Sequence, residues 1–223
     1  MSDPLTIWTL DWVPEGPRGY VRDLRLRWAC EEAGLPYCVE TIAFDDRETN
    51  HLAAQPFGQV PWLEDGDLRL FESGAGVLHV AQKSDALMPR DEVARAEVSQ
   101  WVFAALNSIE VATMPWLVLK WGGEDRPAIT GWMEKRLANI EAVLADREWL
   151  VGDSFTAADL IMADVLRVSQ VRRHGERPAS EAYVKRATER PAFRAAHKAQ
   201  LDHFERADAA RQPIPTSEET NDE

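Results

Sequence analysis

Gln55-Pro56-Phe57-Gly58-Gln59-Val60-Pro61-Trp62-Leu63, followed by Asp65-Gly66 and then Phe71-Glu72-Ser73, is the stretch that decides how this chain is built. It reads as two short strands, Val60 to Leu63 and Leu68 to Phe71, joined by a tight turn at Asp65-Gly66. A proline that opens a strand cannot donate to the sheet ladder. Pro61 therefore stands at a sheet edge, or its bond to Val60 is cis and turns the backbone. In the cis case the amide and carbonyl of Val60 point outward and can pair with a short extended peptide. Eleven residues after Pro61, Glu72-Ser73 marks the junction of a strand and a helix. A helix start offers free amides and partial positive charge, which suit a carboxylate. Ser73 adds a hydroxyl donor, and Glu72 offers a carboxylate to an ammonium group. Ser73 is equally a preferred helix cap that needs no ligand.

Upstream, Leu5 to Trp12 is short and rich in aromatic and β-branched residues, the pattern of a strand. A turn at Pro14-Glu15-Gly16-Pro17 follows. Val21 to Ala33 places Leu24, Trp28 and Ala29 on one helical face and is closed by Gly34 and Pro36. Tyr37 to Ile42 reads as a second strand, residues 45 to 54 as a short polar helix, and Ser73 to Gln82 as a helix of small and apolar residues. The order is β-α-β-α-β-β-α. The first crossover implies a parallel pair and the hairpin an antiparallel one, so a mixed sheet is expected.

Beyond Pro89-Arg90-Asp91 strand signals almost vanish. Helices are expected from Glu92 to about Met114, where Pro115 should kink or end the run. Others are expected from Ala128 to Ala145, from Thr156 to Val171, over 180 to 188, and from Pro191 to about 207. The Thr156 helix opens on a capping box with Asp159, stapled by Phe155 and Leu160. The resulting domains are 1-84 and 91-208, with an acidic tail, 209-223, expected to be disordered.

The 223-residue chain carries a net charge of -13, which disfavours both nucleic-acid backbones and anionic membranes as partners. No apolar run reaches the ~20 residues that a membrane helix needs. Met1-Ser2-Asp3-Pro4 has neither the basic nor the apolar region of a secretory signal. Cys30 and Cys38 match no redox or zinc spacing and read as buried packing residues. A reducing cytoplasm is the expected setting. The five histidines show no metal spacing, so no metal is expected.

The motif from Gln55 to Leu63, with Asp65-Gly66 and Phe71-Glu72-Ser73, resembles the cytosolic glutathione S-transferases. Trp28-Ala29-Cys30-Glu31-Glu32-Ala33-Gly34-Leu35-Pro36-Tyr37 is similar to the end of that family's first helix. Leu150-Val151-Gly152 through Phe155-Thr156-Ala157-Ala158-Asp159 is similar to its capped core helix, and Arg190-Pro191-Ala192 to the start of its last helices. The resemblance covers roughly residues 5 to 207 and suggests a bacterial-type member of undetermined class. It implies an α/β thioredoxin-like N-terminal domain followed by an all-α C-terminal domain, and glutathione as co-substrate. Val60 would hold the cysteinyl part through its backbone, and Pro61 would be cis. Glu72 and Ser73 would hold the γ-glutamyl head, and Gln59 would help at the glycyl end or the backbone. The resemblance further implies a homodimer that conjugates the glutathione thiolate to a small, partly apolar electrophile, as in detoxification. Glutathione-dependent disulfide or peroxide reduction, and a non-catalytic protein-binding role on the same fold, are the alternatives.

Conjugation needs a thiolate. A free thiol with a pKa near 8.5 is only ~3% ionised at pH 7, and lowering it by ~2 units takes ~2.7 kcal/mol of differential stabilisation. In the family the activating group often is a Ser, Cys or Tyr after the first strand. Val13 to Arg25 contains no Ser or Cys. Counting back from Glu31-Glu32-Ala33-Gly34 sets Tyr20 where serine-type members keep their hydroxyl, so Tyr20 is the catalytic candidate, with Arg18 and Arg22 adding charge. The other reading has Tyr20 packing and the arginines paired with Asp23 or Glu15. Thr9 and Trp12 are lesser candidates. The acceptor pocket is expected between the two halves, along Trp12, Trp101, Met114 and Trp116.

Overall fold

The computed structural model describes residues 4–45 and 50–211. Leu5–Leu10 (β1) and Tyr37–Ile42 (β2) pair in parallel, and Trp62–Asp65 (β3) runs antiparallel to β1. Leu68–Phe71 (β4) completes the hairpin, and the sheet order is β2-β1-β3-β4. The expected mixed sheet is therefore present. One boundary differs: β3 begins at Trp62, so Gln59, Val60 and Pro61 precede the strand instead of opening it. Asp23–Ala33 (α1) joins β1 to β2 and ends at Gly34, whose φ of 64° is the expected left-handed cap. Asn50–Ala54 (α2) leads toward β3, and Ser73–Ala81 (α3) follows β4.

Helices supply the rest. Glu92–Ala104 (α4), a π-helical turn over Ala105–Glu110 and Val111–Trp121 (α5) form one continuous rod. Pro115, expected to kink or end the run, does not end it. The π-helical turn just upstream has already changed the backbone register, and the proline removes one amide donor from a helix that continues to Trp121. By length and composition this rod is long and apolar enough to cross a membrane, which corrects the reading that no such run exists. Here Val98, Val102, Ala105, Ile109, Ala112 and Leu117 place it in the protein core.

Pro127–Ala145 (α6), Ala157–Leu166 (α7), Ser169–Arg172 (α8), Pro178–Thr188 (α9) and Pro191–Ala210 (α10) follow. The helix expected from Thr156 to Val171 is thus two, broken where Arg167 turns back onto Asp164 and the carbonyl of Gly19. At its start the buried Asp159 accepts from the amides of Thr156 (2.9 Å) and Leu150 (2.8 Å) and from the Tyr183 hydroxyl (2.8 Å). Residues 209 and 210 belong to α10, while 212–223 lie outside the described residues.

Periodicity assigns α1 a single apolar face, yet every residue from Asp23 to Cys30 is buried. Its position explains this, because α3, α7 and α10 all pack on it as well as the sheet. Trp28, fully buried between Phe155 and Phe193, fastens the sheet half to the helical half. Burial of a side chain of this size contributes ~2–3 kcal/mol. The charges trapped in this seam are paired: Arg27 donates to Asp23 at 2.7 Å and Arg25 to Asp164 at 2.6 Å.

Candidate functional site

The β3-β4 register sets Trp62 opposite Phe71. The residues just before Trp62 and just after Phe71 therefore flank each other at one end of the hairpin. Adjacent strands lie ~4.7–5.5 Å apart, and an extended tripeptide spans ~10 Å, so one tripeptide can touch both segments. The Val60-Pro61 bond is cis. Among the described residues no backbone group takes the amide or the carbonyl of Val60. Gln59 is the opposite case. Its amide donates to Gln55 Oε1 at 3.1 Å, and its carbonyl accepts from His51 Nε2 at 2.8 Å. Both partners are buried, so α2 secures this loop from beneath and leaves only the exposed side chain of Gln59 for a ligand.

Glu72 has φ 71° and ψ 115°, the one positive φ outside glycine among the described residues. That conformation costs about 1–3 kcal/mol in a residue with a Cβ. Its side chain is exposed, and among the described residues its carboxylate has no hydrogen bond or ion pair. Ser73 is the reverse, only 6% exposed, with Oγ accepting from Arg25 Nη1 at 3.1 Å.

Arg25 was not singled out by the sequence reading, and it organises the floor of the site. Its Nε donates to Asp164 on α7, its Nη2 to Glu110 Oε1 at 2.8 Å, and its Nη1 to Glu110 Oε2 at 3.4 Å as well as to Ser73. Glu110 lies in the π-helical turn and also accepts from Arg22 at 3.0 Å. Asp164 also accepts from Arg167 at 2.7 Å. Burial pushes both carboxyls up, but the facing guanidiniums outweigh it and hold them below the usual range. A sequence signal did exist at the other end of the pair: Asp164 is a charge set in the apolar run Leu160 to Leu166, and such a charge is buried only when paired.

Tyr20 sits in the turn that precedes α1 and is 40% exposed. The Arg167 guanidinium lies 4.6 Å from its ring centre, and Arg167 Nη2 donates to the Gly19 carbonyl at 2.6 Å. Gly19 has φ +77°, so a side chain there is strained, and its Cβ would also have to displace the His197 ring, whose Nε2 it would meet at 2.7 Å. Among the described residues the Tyr20 hydroxyl has no hydrogen-bond partner. The two arginines expected to add charge beside it are committed elsewhere. Arg18 donates to Asp208 (2.7 Å) and to the Val13 carbonyl (2.9 Å), and Arg22 pairs with Glu110. Neither pairs with Asp23 or Glu15.

Thr9 is fully buried. Trp12 donates to Asp208 at 2.7 Å and lies under Arg211, so it secures the loop to α10. Trp116 is buried in the core, while Trp101 and Met114 are partly buried and pack against it. A small concavity lined by Leu137, Leu166, Val171 and Ser180 lies within the helical half and contains none of the residues at 59–61 or 72–73. Cys30 is buried as expected, and burial, then Glu31, pushes its thiol up to about 12. Cys38 is exposed on β2, contrary to expectation, because β2 is an edge strand. Among the described residues no group of His, Cys, Asp or Glu side chains could hold a metal ion.

Comparison with known proteins gives matches to two family models. Residues 16–82 match "Glutathione S-transferase, N-terminal domain" and residues 133–191 match "Glutathione S-transferase, C-terminal domain". The chain is 34% identical over 152 residues to Glutathione S-transferase 1 of Zea mays, covering 61% of this chain and 70% of that protein. It is 32% identical over 193 residues to Glutathione S-transferase 3 of Zea mays, covering 76% and 86%. A solved structure of glutathione S-transferase-I bound with lactoylglutathione superposes with a TM-score of 0.71 at 27% identity, covering 88% of this chain and 99% of that one. These curated relatives are plant proteins and lend no support to a bacterial-type placement.

Proposed function

The chain belongs to the glutathione S-transferase family and is a glutathione transferase with glutathione as co-substrate, and on that premise we propose where the tripeptide lies and what ionises it. Glutathione runs across the end of the β3-β4 hairpin. Its cysteinyl amide and carbonyl pair with the backbone of Val60, beside cis Pro61, and its γ-glutamyl head rests on Glu72 and Ser73. The exposed side chain of Gln59 faces the glycyl end. The division into a ligand-holding unit, 1-84, and a helical unit, 91-208, is part of the same reading. The observation that carries it is the hairpin register, which sets an unpaired backbone and an unpaired carboxylate side by side.

Tyr20 donates to the glutathione sulfur. It is linked to the cradle by a continuous set of contacts, from Ser73 to Arg25, Asp164, Arg167 and the Tyr20 ring. With the thiolate formed, attack on an electrophile follows. A cycle through a protein thiol is disfavoured, because the Cys30 thiol is raised and Cys38 pairs with Thr6, about 13 Å along β1 from Leu10. Disulfide reduction on this scaffold would use two glutathiones.

A homodimer is part of the reading. Phe57 and Phe71, with ring centres 6.2 Å apart, and Val93 and Phe103 on α4 are exposed apolar side chains that a symmetric partner would cover. Sedimentation as a monomer would remove that part. A cytoplasmic setting rests on the two free cysteines. The main reading is tested by calorimetry with glutathione and by difference absorbance at about 240 nm, where a thiolate absorbs. Saturable binding with a thiolate band at neutral pH is expected, and absence of binding at millimolar glutathione overturns it.

A further inference from the structure

We infer that Arg25 is a positioning residue that fixes the Ser73 hydroxyl as a hydrogen-bond donor toward the glutamyl carboxylate of glutathione, an inference that rests on the reading of Ser73 above. A guanidinium carries five N–H donors and no acceptor. Its contact with Ser73 Oγ therefore makes that oxygen the acceptor and directs the hydroxyl hydrogen away from Arg25. Arg25 cannot turn aside, since Asp164 takes Nε, Glu110 takes Nη2, and Nη1 is shared between Glu110 and Ser73.

The charge balance favours the same ligand group. Arg22, Arg25 and Arg167 face Glu110 and Asp164, three cations against two anions, which leaves one positive charge in excess beneath Ser73. A carboxylate on Ser73 lies toward that excess, of which Arg22 is 37% exposed and Arg25 and Arg167 are buried. The partners of Arg25 come from α7 and from the π-helical turn, both in the helical half. The donor in the sheet half is therefore oriented by the helical half, and glutathione affinity depends on how the two are seated.

A double-mutant cycle on the full-length protein tests this, with glutathione Kd read by calorimetry, KM for glutathione and for an aryl halide electrophile read separately, and the unfolding midpoint recorded for each variant. Ser73→Ala and Arg25→Lys are each expected to weaken glutathione about 10-fold, the scale of one hydrogen bond to a charged group. KM for the electrophile should stay unchanged. In the Ser73→Ala background, Arg25→Lys should add less than about 2-fold, because its effect passes through that hydroxyl. A further full loss in that background means that Arg25 acts independently of Ser73 and overturns the inference. Wild-type affinity in Arg25→Lys, with Ser73→Ala still weakened, overturns the inference alone. Wild-type affinity in Ser73→Ala removes the cradle from the proposed function and this inference with it. Should Arg25→Lys not fold, Asp164→Ala reads the same point by removing the acceptor for Nε while keeping Arg25 and Glu110. The same selective rise in glutathione KM supports the inference, and an unchanged KM overturns it.

Discussion

The segments at 59–61 and 72–73 and the loop at 11–22 would meet the same ligand, yet they are held in opposite ways. Gln59 is fixed by His51 and Gln55, and Glu72 follows directly on β4, so these restraints come from neighbours in the sequence. The loop draws its restraints from the other end of the chain. Trp12 and Arg18 bond to Asp208, the Val21 carbonyl accepts from Gln200, the Leu10 carbonyl accepts from His203, and the Gly19 carbonyl accepts from Arg167. The proposed contacts at 59–61 and at Glu72 are preset by local structure, whereas Ser73 is held by Arg25, which α7 and the π-helical turn fix in turn. The loop that carries Tyr20 takes its shape only once α7 and α10 have docked. The contacts at 59–61 and Glu72 can therefore be disturbed separately from activation.

The sharpest test of that separation is Tyr20→Phe. Loss of a donor to the developing thiolate should lower kcat about 100-fold and weaken the thiolate band, while glutathione Kd is unchanged. An equal loss of affinity would show that the two parts act as one. Next in size, Glu72→Gln should weaken glutathione about 10-fold with no change in the unfolding midpoint. Glu72→Gly should lose as much affinity but gain about 1 kcal/mol of stability in denaturant unfolding, because it removes the positive-φ strain. A Glu72→Gly variant no more stable than Glu72→Gln would remove strain from the account.

The smallest effect is expected at the loop's tether. The bond from Arg18, then that from Trp12, holds the Asp208 carboxyl down at about 2, below its unfolded value of ~3.9. A depressed carboxylate contributes to stability above the unfolded value and loses that contribution as pH falls through the folded one. The tether should thus be intact above about pH 4 and released toward pH 2. A Trp12-dependent fluorescence change in that window, absent in Asp208→Asn, is the expected sign. The same change in Asp208→Asn would assign the acid transition elsewhere.

The hairpin, the mixed sheet and the capping box were legible because their signals lie within a few residues: Asp65-Gly66 for the turn, Val60-Pro61 for the bend, Thr156 with Asp159 for the helix start. Pro115 misled because a π-helical turn, which leaves no simple pattern in sequence, changes the backbone register before the proline is reached. Cys38 misled because an edge strand and an inner strand share one composition. Arg18 and Arg22 bond to acids other than Asp23 and Glu15, which the local sequence offered. Asp208 and Glu110 are 190 and 88 residues away, and no local pattern selects between acids at that distance.

By itself, the order of residues determined which segments are strand or helix, where they turn, and that Gln59-Val60-Pro61 and Glu72-Ser73 flank one hairpin, since all of this follows from backbone conformational preference and short-range pairing. Only the tertiary structure decided that Arg25 stands behind Ser73, that Arg167 packs on Tyr20, and that one carboxylate, Asp164, serves both. A buried charge must find a partner, and which partner it finds depends on how α1, α7 and the π-helical turn come together in space.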